Sequence, residues 1–200
     1  MKILLLLFAI LFSLSNYAQQ YSFIRYGVKE GLAQSQVTDI SQDNLGYLWI
    51  GTQSGLSKFD GIKFENYSID DGLADNTIHK LLFDSIANTL WIATPEGLTE
   101  YKNNTFNSYY FDQKIKVNDL ILFKDSIFIA SNQGVLSFKN GNFSTYTSNH
   151  NIRQLSVTKN NKLLCATNIG LFYFDDSLLV QHSDSLINNL NYSGIDVNKN

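Results

Sequence analysis

The chain has 200 residues, of which 44% are hydrophobic, 14% aromatic and 16% charged, with a formal net charge of -3. So much aromatic surface excludes a disordered chain, which lacks the apolar area to offset its ordering entropy. The single cysteine, Cys165, excludes a disulfide scaffold and a multi-cysteine metal site, and the acidic balance supplies no basic field to release counterions from nucleic acid, so no nucleic-acid partner is expected.

The first segment, 1–18, reads as a secretory leader: Lys2 forms a positive start, Ile3 to Leu14 an uncharged run, and Ala18 a small residue at the cleavage point. A helix of that length spans roughly 18 Å, short of the ~30 Å hydrocarbon core. The mature chain, 19–200, is therefore expected to be exported, with the alternative of an uncleaved anchor.

Beyond the leader the chain repeats. Gly55, Gly97, Gly134 and Gly170 are separated by 42, 37 and 36 residues, and each carries the same neighbours. Six positions before stand Trp49, Trp91, Phe128 and Leu164, and four after stand Phe59, Tyr101, Phe138 and Phe174. Nine after come Phe64, Phe106, Phe143 and Leu179, and twelve after come Tyr67, Tyr109, Tyr146 and His182. Within a unit, four short apolar runs alternate with Asn, Asp and Gly clusters suited to tight turns, as in Asp43-Asn44-Leu45-Gly46 and Asp60-Gly61. Four antiparallel strands per ~40 residues is the signature of a propeller blade, so the fold class is an all-β propeller.

In chain order the reading predicts an orphan outer strand at 21–26, a first blade at 31–69, a second at 72–111, a third at 115–148 and a fourth at 151–183. The start of a fifth follows at 187–200. The ring is thus incomplete, and the 200 residues are expected to be the N-terminal piece of a longer protein. The second strand of each blade explains the stacking. Positions two apart share a face, so Trp49 lies beside Gly51, Trp91 beside Ala93, Phe128 beside Ala130 and Leu164 beside Ala166. A large residue next to a small one lets the neighbouring sheet approach, and this column is assigned to the core.

The run Gly31-Leu32-Ala33-Gln34-Ser35-Gln36-Val37-Thr38-Asp39-Ile40-Ser41-Gln42-Asp43, continued by Gly46-Tyr47-Leu48-Trp49-Ile50-Gly51-Thr52, resembles the two-component regulator propeller repeat. The resemblance is close in the first two units and weaker in the third and fourth. It implies an extracytoplasmic sensor region, followed in intact relatives by further blades, a β-sandwich, one transmembrane helix and a kinase or transcription-factor output. It also implies an oligosaccharide or similar polar ligand and the periplasmic side of the inner membrane. A membrane contact or receptor dimer would arise only through parts beyond residue 200.

No catalytic residue, cofactor or metal is assigned. Cys165 falls in a buried strand column and reads as a small hydrophobe, and His79, His150 and His182 fall in different columns, which does not assemble a metal site. Asp43, Asp60 and Asp84 sit at strand ends, where aspartate caps its own backbone. Asp39, Asp70, Asp71 and Asp75 are spread by the repeat rather than paired across a cleft as a glycosidase requires. The candidate ligand residues lie on the loops that join blades and on those joining second and third strands: Gln34, Gln53, Ser54, Asn76, Glu96, Asn132, Gln133 and Asn168. Amides and a carboxylate there suit sugar hydroxyls. The alternatives are a propeller-fold carbohydrate-active enzyme, lyase or hydrolase, and a secreted protein-interaction scaffold.

Overall fold

A computed structural model describes residues 23–147, 150–175 and 178–181. The leader at 1–18, the fifth unit at 187–200 and His182 lie outside the described residues. Among the described residues, sixteen strands form four antiparallel sheets, each paired in sequence order. The first contains β1 (Val37–Gln42), β2 (Leu48–Thr52), β3 (Gly55–Phe59) and β4 (Phe64–Tyr67). The second contains β5 (Lys80–Asp84), β6 (Thr89–Ala93), β7 (Gly97–Lys102) and β8 (Thr105–Tyr110). The third contains β9 (Val117–Phe123), β10 (Ser126–Ser131), β11 (Gly134–Lys139) and β12 (Asn142–Thr147). The fourth contains β13 (Ile152–Val157), β14 (Leu163–Thr167), β15 (Gly170–Asp175) and β16 (Leu178–Gln181). The first strands β1, β5, β9 and β13 lie next to one another, so the sheets stack face to face in a propeller-like arrangement.

The cores lie between sheets. Trp49 and Leu56 of the first sheet meet Leu81, Leu90 and Ile92 of the second, with Leu73 and Ile78 of the linker filling the seam. Gly51 faces that linker so closely that a Cβ there would stand 2.6 Å from Ile78 Cγ2. The equivalent Ala93, Ala130 and Ala166 are fully buried. Trp49, Phe128 and Leu164 are buried as well, but Trp91 is only half-buried and lines a groove. Trp91 packs against the core between the second and third sheets with one side of its ring and borders the groove with the other.

A second column holds each turn between second and third strands. Thr52, Thr94, Ser131 and Thr167, three residues before each repeat glycine, are fully buried. Each hydroxyl donates to the carbonyl of its glycine at 2.8–3.0 Å. Each also accepts one main-chain N–H, from Ser54, Gly97, Gln133 and Ile169 respectively.

The linkers dock by a repeated device. Val28–Glu30 and Ile69–Asp71 each form one 3-10 turn, closed by Gly31 and Gly72 at φ of 110° and 113°. After each glycine a main-chain N–H enters the next sheet: Ala33 donates to Ser57 Oγ at 3.0 Å and Ala74 to Thr99 Oγ1 at 3.0 Å. Asn66 Nδ2 and Ser108 Oγ return a bond to the carbonyls of Gly31 and Gly72. Ser57 is fully buried and its hydroxyl also donates to Asn66 Oδ1. Ser57→Ala leaves the Ala33 N–H without its acceptor, a loss of about 1–3 kcal/mol. The urea midpoint is expected to fall with the m-value unchanged; an unshifted midpoint would show that the linker does not depend on this bond.

Of the expected outer strand 21–26, residues 23–26 are described and none is in a strand, because no described strand pairs with them. Tyr26 nevertheless packs on Phe59 at 4.9 Å and Phe64 at 6.0 Å between ring centroids. That is the position Tyr67 takes on Tyr101 and Phe106 of the second sheet.

Candidate functional site

The loops between sheets and the turns between second and third strands lie at one end of the sheets, where several of their groups bond to one another. Gly55 N–H donates to Asn76 O at 2.7 Å, and Asn76 Oδ1 accepts the Ile69 N–H at 2.9 Å. Asn132 exchanges bonds with Lys116, its Oδ1 accepting that residue's N–H at 2.9 Å. Gln133 Oε1 accepts from Gln113 Nε2 at 2.7 Å, and Glu96 pairs with Lys114. Gln34 Oε1 accepts from the Gln36 N–H. Gln53 and Ser54 are exposed and anchored by their own main-chain N–H groups, to Gln36 O and Thr52 Oγ1. Asn168 is exposed. The structure thus gathers Glu96, Asn132 and Gln133 around the linker 112–116, and Asn76 beside the turn that carries Gln53 and Ser54. The acceptor oxygens of Asn76 and Asn132 fasten the linkers, because an amide next to an unpaired main-chain N–H satisfies it.

A polar column on the first strands was not singled out from the sequence. In these strands the register slips at Thr38, Asn118 and Arg153, so two successive residues of the strand meet one of its partner. Such a bulge re-aims side chains. Asp39 Oδ2 accepts the Leu81 N–H and Asp119 Oδ2 the Leu155 N–H, each at 2.9 Å and each from the next sheet. Lys80 stands 3.9 Å from Asp39. Burial pushes the Asp119 carboxyl up, against the main-chain bonds from Leu155 and Leu120 and the charge of Lys80, with Asp39 adding to the rise. Asn118 Nδ2 donates to Ile152 O at 2.7 Å. The available signal was the cross-strand register: Asp39, Lys80, Asp119 and Gln154 each pair with the small residue of the second strand.

His79 belongs to the same seam, its Nδ1 accepting the Val117 N–H at 3.2 Å. Burial lowers its pKa below the ordinary 6.5, assisted by Lys116 and opposed by Asp75. The folded state therefore binds this proton more weakly than the unfolded chain. The stability it contributes is fully present above pH 6.5 and is lost as pH falls through the depressed value, where Nδ1 must also release Val117. His79→Gln is expected to flatten the fall in stability below pH 6.5, measured by thermal denaturation; an unchanged slope would assign the acid loss elsewhere.

Cys165 is fully buried and its thiol is pushed up to about 12 by burial. His150 lies 5.4 Å from the Phe172 ring. Asp43, Asp60 and Asp84 each accept two main-chain N–H groups of their own turns. Among the described residues no cluster of histidine, cysteine or carboxylate groups could hold a metal ion, and no helix is long and apolar enough to cross a membrane.

Residues 31–54, which comprise the docking linker, β1, the tryptophan strand and its turn, match the model of the two component regulator propeller family. The chain carries a two component regulator propeller repeat. The chain is also similar to "Histidine kinase P4" of Formosa agariphila, 46% identical over 55 residues, which is 28% of this chain and 4% of that protein. The fold matches the extracellular domain of a putative hybrid two component system from B. thetaiotaomicron with a TM-score of 0.71 at 21% identity, over 85% of this chain and 27% of that one. Virginiamycin B lyase from Staphylococcus aureus matches with a TM-score of 0.63 at 11% identity, over 75% of this chain and 56% of the lyase. At these identities the likeness to the solved structures is one of fold. The chain spans 4% of the curated relative and about a quarter of the solved extracellular domain.

Proposed function

We propose that this segment is an extracytoplasmic sensing module of a two-component signalling receptor, non-catalytic in itself, that binds an oligosaccharide or similar polar ligand on the linker end of the sheets. The match of 31–54 to the regulator propeller repeat is the observation that carries this reading. The similarity to a histidine kinase and the fold shared with an extracellular domain of a hybrid system support it. In this reading the sheets belong to a larger propeller on the periplasmic side of the inner membrane. The packing of Tyr26 on the first sheet supports 21–26 as the outer edge of another blade. The exposed Gln53, Ser54, Gln133 and Asn168 supply hydrogen-bonding groups, and Asp39, Lys80 and Asp119 supply charge on the first strands. Signalling follows when the ligand binds two receptor arrangements unequally, since only differential affinity shifts an equilibrium, and a receptor dimer formed through downstream parts would carry it.

Thermal denaturation with a panel of neutral and uronate oligosaccharides tests this. A binding member at 100 times its Kd adds about 2.7 kcal/mol and raises the midpoint, and Gln53→Ala with Gln133→Ala weakens the effect. The reading is overturned if no member moves the midpoint, or if a member is cleaved by the chain.

A further inference from the structure

At the opposite end of the sheets, the turns between first and second strands and between third and fourth strands frame a groove between the second and third sheets. It has a volume of about 440 Å³ and is lined by Trp91. The matching groove between the first and second sheets, lined by Trp49, has about 120 Å³. The repeat itself explains the difference. In the first sheet the residue paired with Trp49 across the strands is Lys58. Cross-strand partners share a face, and the Lys58 ammonium lies 5.2 Å from the Trp49 ring centroid and 4.2 Å from that of Tyr47. In the second sheet the residue paired with Trp91 is Glu100. The lysine that fills the first groove has been exchanged for a carboxylate, leaving the second groove open.

The third and fourth sheets also bring an ammonium to an aromatic ring, Lys124 to Phe123 at 5.2 Å and Lys162 to Tyr173 at 5.5 Å. Among the described residues only the second sheet lacks such a pair. The charge balance follows the exchange. The first groove is lined by Asp43 with Lys58 and Lys102. The second carries Asp84, Glu100 and Asp125 against Lys139 alone. Trp49 Nε1 is spent on Asp43 at 2.9 Å, whereas the Trp91 side chain makes one ring contact, with Phe138 at 5.5 Å, and no hydrogen bond among the described residues.

We infer that this groove takes a basic side chain of a protein partner, its guanidinium or ammonium over Trp91 and between the carboxylates, in the place that Lys58 takes over Trp49. Cation–π attraction and charge pairing both favour a cation there. Ile86, 94% exposed, and Leu122, 38% exposed, stand at the groove and offer apolar surface for the methylene stem of such a side chain. The site is distinct from the linker end and does not depend on what binds there.

The test follows the two indole Nε1–H signals of the full chain by NMR while an arginine-containing peptide with blocked ends is added. The Trp91 signal is expected to shift and the Trp49 signal to stay, which also reports that the fold is intact. The same peptide with citrulline in place of arginine is expected to leave both signals unmoved. Glu100→Gln is expected to weaken binding at least fivefold, and Glu100→Lys, which restores the arrangement of the first sheet, to abolish it. No shift at millimolar peptide, or an equal shift with the citrulline peptide, would overturn the inference. Binding of arginine amide as tight as that of the peptide would overturn the protein partner in favour of a free small cation.

Discussion

Gly97→Ala is expected to cost more than about 3 kcal/mol, the upper part of the range for overpacked sites. A Cβ at Gly97 would stand 2.3 Å from Tyr109 O and 3.0 Å from Tyr110 Cα. Both obstacles are main chain of β8, so the methyl fits only if β7 and β8 part, and those strands pair along their whole length. Against a total stability of roughly 5–15 kcal/mol for a domain, such a loss decides whether the chain stays folded. Gly51→Ala meets a side chain instead, Ile78 Cγ2 at 2.6 Å, and its cost is expected at about 1–3 kcal/mol. Urea denaturation of the two variants checks the order, and a smaller loss for Gly97→Ala than for Gly51→Ala would refute the argument.

Trp49→Ala is expected to cost about 3–5 kcal/mol. Trp49 is 1% exposed, stacks against Tyr67 at 5.9 Å, meets the tilted Tyr101 ring at 4.8 Å, and donates to Asp43. Its truncation leaves a cavity between two sheets and an unpaired carboxylate oxygen. Trp91 stands in the same repeat position but borders an existing groove, so Trp91→Ala removes less buried surface and opens no new void. Its cost is expected to be smaller by at least about 1 kcal/mol. Equal losses for the two variants would mean that the groove beside Trp91 is filled in the native state.

The repeat was legible because stacking sheets impose fixed spacings: a glycine at the close strand start, an aromatic four residues on, and a small residue beside the large one. The buried hydroxyls Thr52, Thr94, Ser131 and Thr167 also recur three residues before the glycine, and a column of small polar residues passes easily for turn composition. Other features depend on partners distant in the chain. Asn76 and Asn132 have the composition of ligand-binding loops, yet their oxygens serve the linkers, and only the path of the backbone reveals which N–H each one meets. Asp39 and Asp119 are aimed at the next sheet by bulges, which depend on register rather than residue type. Trp91 looked identical to Trp49 because the residue that separates their environments, Lys58 or Glu100, lies nine positions further on in a different strand.

The docking of the linkers has a consequence for how such chains can be recombined. Gly72 and Ala74 make their contacts with Phe106 and Thr99, that is, with the sheet that follows, and Tyr67 packs on Phe106 there as well as on Trp49 of its own sheet. Tyr26, Gly31 and Ala33 likewise belong by their contacts to the first sheet. The heritable module is therefore offset from the visible sheet by about one strand's end and a loop. A chimera joined inside the loop would pair each linker with a stranger, whereas a crossover just before Tyr67 would move each linker together with the surface it was shaped to fit.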